Sequence, residues 1–202
     1  MLTFNEPTHT YQWDGKHVPS VTQAIFNAGL VDDRWFDDYS RDRGTAVHRA
    51  TELFDLGTLD ESTLDPVLVP YLSAYKLFLL ETGAEWDAIE ERVFNKVYRY
   101  SGTLDRRGTI NGRNVIVDLK TGQPNKTTAL QIAAYAAALG LVCDRLAVHL
   151  KGDGKYSITS YNMADQARDF AVFHACLTVA NWKETTNEHP TIRPTDRAYY
   201  RR

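Results

Sequence analysis

The apolar positions of this chain change period several times, and each change marks an element. From residue 2 to 18, Phe4, Tyr11 and Trp13 supply strand residues around Asp14-Gly15, a strong turn signal, so the segment reads as a small hairpin. Pro19-Ser20-Val21-Thr22 then opens a helix with Ser20 as its N-cap, and Gly29 stops it after Ala28. Residues 32–56 read as one long helix or two joined ones. A turn-rich connection over 57–66 follows. Residues 67–80 put Leu68, Tyr71, Leu72, Tyr75 and Phe78 at helical spacing, and Gly83 ends that helix.

Beyond that point the pattern shortens towards strands. Residues 88–109 should hold two of them. Asn111-Gly112 is a type I′ hairpin signal that sets residues 103–110 antiparallel to 114–120. The run Val115-Ile116-Val117-Asp118-Leu119-Lys120 starts as a buried strand and ends on a carboxylate and an ammonium. Positions i and i+2 of a strand share a face, so Asp118 and Lys120 stand side by side and Leu119 turns into the opposite layer. Thr121-Gly122 and Pro124 break the strand, and Asn125 or Thr127 caps an alanine-rich helix to Leu139 that should pack closely on the sheet. Residues 145–161 read as a hairpin about Asp153-Gly154, and 163–182 as a final amphipathic helix carrying Phe170, Phe173, Leu177 and Trp182. There is no internal repeat and no low-complexity segment.

Composition narrows the classes. With 202 residues, 43% of them hydrophobic, the chain supports one well-buried domain and is too short for two comfortable ones. A formal net charge of -3 does not advertise nucleic-acid binding in bulk, and it suits a carboxylate-rich metal site. Cys143 and Cys176 form no CxxC pair, which excludes cysteine-ligated structural zinc and a four-cysteine iron–sulfur cluster. Two buried reduced thiols are the favoured reading over a disulfide. No basic-then-apolar leader and no membrane-length apolar run occur, so the expected setting is a reducing cytoplasm, without a membrane.

Charge is unevenly spread. Between 55 and 91 stand the acids Asp55, Asp60, Glu61, Asp65, Glu81, Glu85, Asp87, Glu90 and Glu91 with the single base Lys76, a face expected to turn away from nucleic acid. The sign then reverses: Arg92, Lys96, Arg99, Arg106 and Arg107 alternate with Phe94, Tyr98 and Tyr100, and Asp105 is the one acid among them. Such a mixture can track phosphates and stack bases, or simply form an exposed strand face. The basic, aromatic ending (Arg193, Arg197, Tyr199, Tyr200, Arg201, Arg202), within a tail over 183–202, reads as a frayed terminus or as an arm that touches DNA.

Three groups carry candidate chemistry. Gly44, His48 and Glu52 recur every fourth residue on one helical face, and glycine inside a helix costs about 1 kcal/mol against alanine, which points to a close approach there. The hairpin can bring Asp105 and Asp118 to one end of the sheet. Gln131 and Tyr135 are neighbours on the helix after it.

Taken in order, Gly44-x-x-x-His48, Gly102-Thr103-Leu104-Asp105, Asp118-Leu119-Lys120 and Gln131-x-x-x-Tyr135 resemble the motifs of the PD-(D/E)XK nuclease superfamily, most closely its RecB-type exonuclease branch. The opening His9-Thr10-Tyr11 and Pro19-Ser20-Val21-Thr22 is similar to that of phage-encoded and mitochondrial members. The resemblance covers residues 41–139 well. The iron–sulfur cysteines of some relatives are missing, which favours a small stand-alone exonuclease.

The resemblance implies an α/β fold with a restriction-endonuclease-like core, a central mixed β-sheet flanked by helices. It implies Mg²⁺ or Mn²⁺ held by His48, Asp105, Asp118 and the Leu119 carbonyl. Asp105, Asp118 and Lys120 would be catalytic, with Lys120 positioning or deprotonating the attacking water. Gln131 and Tyr135 would contact DNA beside the basic residues Arg92, Lys96, Arg99 and Arg106, with Glu52 and Gly44 supporting the site. The activity implied is metal-dependent exonucleolytic cleavage of single-stranded DNA or duplex ends, in phage or repair and recombination processing. A single-strand annealing or binding protein is a candidate partner, and a bacterial host cell a candidate setting. A structure-specific endonuclease and a non-catalytic DNA-binding subunit are the alternatives; the intact Asp105, Asp118 and Lys120 speak against the second.

Overall fold

In the computed structural model, residues 1–5, 8, 10–31 and 38–186 are described. Strands β1 (Leu2–Asn5), β2 (Thr10–Trp13) and β3 (Lys16–Val18) form a small antiparallel sheet, one strand more than the expected hairpin. Asp14 and Gly15 turn β2 into β3 with φ of 49° and 77°. Helix α1 (Val21–Ala28) begins with a capping box. The Gln23 amide donates to the Ser20 hydroxyl at 3.1 Å, and the Ser20 amide donates to Gln23 Oε1 at 3.2 Å. Gly29, at φ 90°, closes it.

Helices α2 (Asp38–Asp55) and α3 (Val69–Thr82) follow. The start of the long helix read at residues 32–37 lies outside the described residues, as do His9 and the tail from 187. The second sheet holds β4 (Glu85–Asn95), β5 (Tyr100–Ile110), β6 (Arg113–Lys120), β7 (Asp144–Leu150) and β8 (Tyr156–Tyr161) in that spatial order. All neighbours are antiparallel except β6 and β7, which are parallel and joined by α4 (Thr127–Leu139). Helix α5 (Gln166–Thr186) closes the chain's described part. Asn125 does not cap α4 itself; its side chain takes the Thr127 N–H and hydroxyl at 2.9 Å each and shapes the turn before it.

Each face of the mixed sheet is covered. Val115, Val117 and Leu119 point from β6 to one side, against Val47 of α2 and Tyr71, Tyr75 and Phe78 of α3. Ile116 points to the other, against Ile132 and Ala136 of α4. Ala133, Ala134 and Ala136 are wholly buried, so the small residues of α4 do bring that helix close to the strands. On the same side, Val93, Tyr100 and Leu104 meet Val21 and Ile25 of α1, Tyr135 of α4, and Phe173 and Leu177 of α5. The two cysteines are free and buried, in separate clusters.

The N-terminal sheet docks on β5 just before Asp105. The Ser101 amide donates to the Pro19 carbonyl at 3.0 Å, and the hydroxyls of Tyr11 and Thr103 are 2.7 Å apart. At the far end of β5, Gly108 passes under β4 where the register shifts between Trp86 and Ala88. A Cβ there would lie 1.9 Å from the Glu85 carbonyl oxygen, which is backbone and cannot rotate away. Gly108→Ala should therefore lower stability by about 2 kcal/mol or more, read as the urea midpoint; an unchanged midpoint would mean that β4 is not held so close.

Candidate active site

The strand geometry of β6 sets one half of the site. Asp118 is 1% exposed, and the Lys120 ammonium stands 2.7 Å from its Oδ2. Lys120 Nζ also donates to Gln131 Oε1 at 3.4 Å, and Gln131 Nε2 donates to the Tyr135 hydroxyl at 3.1 Å. Helix α4, the crossover between the parallel strands, thus lays its i, i+4 pair over the end of β6. The Tyr135 ring fills the space above Gly102, where a Cβ would come within 2.6 Å of Cε1. The glycine before Leu104-Asp105 is accounted for by that ring.

The other half centres on Asp105. Pairing of β5 with β6 runs from Ile110↔Arg113 to Arg106↔Val117, and one step on, Asp105 faces Asp118. Its Oδ2 accepts the Leu119 N–H at 2.6 Å, while Oδ1 lies 3.5 Å from His48 Nδ1. Side-chain alternation along β5 slips at this residue. Gly102 and Leu104 face Tyr135, yet Arg106 faces Tyr75 in the opposite layer. Across from Asp105 on β4, between the pairs Ile89↔Arg106 and Glu91↔Leu104, sits Glu90 with φ 49°.

Helix α2 supplies His48. A Cβ on Gly44 would meet Thr121 Oγ1 at 3.5 Å, so α2 lies along the turn after β6, and His48 falls one helical turn further on, over Asp105. The close approach at Gly44 is to that threonine, at an ordinary contact distance. Glu52 pairs with Arg49 at 2.6 Å and is not one of the clustered donors. On the outer side of the turn, buried His149 has Nδ1 3.2 Å from the Gly122 carbonyl.

Glu90 is the residue that sequence reasoning missed. One donor atom each of His48, Glu90 and Asp105 lie within 4.8 Å of one another. Glu90 belongs to the acidic run expected to face away from nucleic acid; instead it turns inward to Arg106, and so does Asp55. No local period flags a carboxylate brought round by a positive φ.

Arg106 requires a correction. It was grouped with the DNA-contacting bases, but it is fully buried. Its Nε donates to Asp55 Oδ2 at 2.6 Å and to the Tyr75 hydroxyl at 3.3 Å. Nη1 donates to Glu90 Oε1 at 3.2 Å and to the Asp105 carbonyl at 2.7 Å, and Nη2 to Thr51 Oγ1 at 3.1 Å. A guanidinium so occupied has nothing to offer a phosphate. Tyr135, 3% exposed, is likewise a support for Gln131 rather than a surface for bases. Arg92, Lys96 and Arg99 remain exposed. The Arg92 guanidinium lies 4.8 Å from the Phe4 ring centroid and Lys96 Nζ 5.8 Å from that of Trp13, which stacks on Phe94 at 4.3 Å.

No family model matches the chain, and no curated protein is significantly similar to it. Solved structures are. A protein of Eubacterium rectale described as a "putative exonuclease" aligns over 87% of this chain and 89% of its own, with a TM-score of 0.54 and 11% identity. The fold is a restriction-endonuclease-like core. The exonuclease LHK-Exo of Laribacter hongkongensis, in complex with dAMP, aligns over 85% of this chain and 94% of its own at 14% identity, with a TM-score of 0.39.

Two carboxylates and an imidazole form a donor set suited to Mg²⁺ or Mn²⁺. The fit has a second sign in Asp118. Both of its oxygens are buried, and the Lys120 ammonium stands 2.7 Å from Oδ2. A buried carboxylate is costly unless paired, and Lys120 supplies one partner while Oδ1 has no donor among the described residues.

Electrostatics separate the acids. Burial and then the charge of Asp105 push Glu90 up to about 7. Burial also pushes Asp118 up to about 6, against the pull of Lys120. Asp105 is buried too, but His48, Lys120 and the Leu119 N–H outweigh that and hold it at about 2. For Lys120, burial favours loss of the proton, and the carboxylates of Asp118 and Asp105 more than reverse it. Burial opposes a charge on His48 as well, and Asp105 raises it above its ordinary value.

Because Asp118 titrates higher in the folded chain than when unfolded, the folded state holds a proton that the unfolded state releases. Stability therefore falls as pH rises from about 4 to about 6. In EDTA, Asp118→Asn should remove that contribution, about 3 kcal/mol, and make this part of the stability–pH curve less steep. An equal slope in wild type and variant would show that folding does not raise Asp118.

Proposed function

We propose that this chain is a divalent-metal-dependent deoxyribonuclease that removes nucleotides from DNA ends. The observation that carries the reading is the convergence of His48, Glu90 and Asp105 beside the buried Asp118 and its ion-pair partner Lys120. His48, Asp105, Asp118 and the Leu119 carbonyl would hold the cation. When bound, that cation supplies a more acidic water and a Lewis acid for phosphoryl oxygens.

The protein's own groups do the rest. Asp105 is fixed by the Leu119 N–H, so its carboxylate does not swing when charge develops nearby. Lys120, kept charged by Asp118 and anchored by Gln131, would orient the attacking water and offer positive charge to the phosphate. Tyr135 fixes Gln131 in turn. Arg92, Lys96 and Arg99 supply exposed positive charge for the strand. The description of the Eubacterium rectale neighbour agrees with this reading.

No helix among the described residues is long and apolar enough to cross a membrane. A single nuclease domain working in phage or repair DNA processing, in a reducing cytoplasm, is the setting we propose.

The test is cleavage of linear DNA, single- and double-stranded, labelled separately at each end, with Mg²⁺, Mn²⁺ or EDTA. Metal-dependent loss of label from an end is expected, and Lys120→Ala should slow it by at least about 100-fold while leaving the fold intact. Cutting of closed circles would make the enzyme an endonuclease. Binding of DNA with no cleavage in any metal would make it a binding subunit.

A further inference from the structure

The exposed bases about β4 leave one cation of α2 unexplained. Among the described arginines that are not exposed, Arg106, Arg107 and Arg145 each meet a carboxylate: Asp55 at 2.6 Å, Glu91 at 2.8 Å and Asp169 at 2.8 Å. The fourth, half-buried Arg43, meets none among the described residues, and its Nε is buried without a hydrogen bond. We propose that Arg43 binds a backbone phosphate of the DNA strand in the active site, at a position next to the bond that is cut. This rests on the nuclease reading for the strand itself and adds a contact outside the motif residues.

Two rings hold the side chain. The guanidinium carbon lies 5.7 Å from the Tyr39 ring centroid, one helical turn back, and 5.5 Å from that of Tyr71 on α3. Contact with rings engages the faces of the planar group and leaves the N–H donors along its edge unused. Taking a guanidinium from water without an anion is costly. The chain provides that anion at Arg106, Arg107 and Arg145; at Arg43 it has to come from outside. A guanidinium held flat with its edge donors unused suits a bidentate partner, and phosphate oxygens match that fork.

Placement ties Arg43 to the site. Gly44, the next residue, lies against Thr121, the residue after Lys120. His48 is five residues on, about 7.5 Å along the helix axis. Arg43 thus stands beside the catalytic end of β6, on the α3 flank of α2 and apart from the donors gathered about Asp105. The turn between β7 and β8 adjoins it: a Cβ on Gly152 would lie 3.3 Å from the Tyr71 hydroxyl. Exposed Lys151 and Lys155 flank that turn. Because β6 and β7 are parallel, with Lys120 beside His149, this turn leaves the sheet at the same edge as Lys120. In the strand order, β4 with Arg92 and Lys96 lies on one side of the site, and the β7–β8 turn lies on the other. Positive charge is therefore offered on both sides of the scissile phosphate.

The experiment is binding of a labelled DNA oligonucleotide, single-stranded or duplex, in fixed low Mg²⁺ over a range of KCl. The full chain carries Lys120→Ala so that the DNA survives, with Arg43 intact or replaced as Arg43→Met or Arg43→Lys. Methionine keeps an apolar stem between the two rings, and thermal unfolding confirms that each variant is folded. Should Arg43→Met unfold, Arg43→Gln takes its place. Arg43→Met should weaken binding about tenfold. It should also make the slope of log affinity against log KCl shallower by about 0.7 for a single strand or about 0.9 for a duplex, the share of one phosphate. Arg43→Lys should recover the slope but only part of the affinity, because charge returns without the fork. An arginine that only braces α2 against α3 would leave the slope unchanged, and that result would overturn the proposal. So would a loss confined to oligonucleotides with a terminal phosphate, since the contact is to the backbone. The nuclease reading fails separately. An Arg43-dependent slope, with no cleavage by the wild-type chain in any metal, leaves this contact standing and removes that activity. Metal-dependent cleavage by the wild-type chain, with an unchanged slope in Arg43→Met, does the reverse.

Discussion

The buried guanidinium of Arg106 is the constraint on which the rest of the site depends. It is a full positive charge without solvent contact, tolerable only because every side of it is paired. Its partners come from four elements: Thr51 and Asp55 of α2, Tyr75 of α3, Glu90 of β4 and the Asp105 carbonyl of β5 itself. Tyr75 extends the network, giving its proton to Asp55 at 2.6 Å and accepting from Trp86 Nε1 at 2.9 Å. Burial and the Asp55 carboxylate raise the Tyr75 phenol, so it stays a neutral donor. Removing one partner from such a group typically costs about 3–5 kcal/mol. The cation that locks α2 onto the sheet therefore also fixes where His48, Glu90 and Asp105 stand.

The second constraint is the slip in β5. Perfect alternation would place Leu104 and Arg106 on one face, and one of them would be wrong: an arginine among the aliphatics of α1, α4 and α5, or a leucine beside Asp55. The strand avoids both by changing phase at Asp105, which ends its pairing with β6 and frees the carboxylate to reach the Leu119 N–H. Glu90, across the ladder, absorbs the matching backbone distortion. Irregularity here is local and supported on both sides, which is how strain persists in a folded chain.

This distinguishes what the sequence made legible from what it did not. Asp118 and Lys120 were readable as a pair because the strand period of two is strict. Gln131 and Tyr135 were readable because helical neighbours fall four apart. The meeting of Asp105 with Asp118 followed from the Asn111-Gly112 turn, since counting back from Ile110 and Arg113 makes them opposite. Each of these rests on a regular period. Arg106 and Glu90 were misread because both lie where a period breaks. Composition gave a basic, aromatic strand and an acidic run, and neither says which side chain crosses to the interior. The nine acids do not form one face, since Asp55 and Glu90 serve Arg106 while Asp87 and Glu91 pair with Arg107 and Glu61 with Lys76.

Charge then orders the events that such a site can support. Asp55, Glu90, Asp105 and Asp118 gather four carboxylates around Arg106, Lys120 and His48, which offer at most three positive charges. Burial raises Glu90 and Asp118, so the folded chain releases their protons less readily, while His48, Lys120 and the Leu119 N–H keep Asp105 low. A phosphodiester brings further negative charge, so an unneutralised site would repel it. A divalent cation would displace those protons and make the same carboxylates ligands.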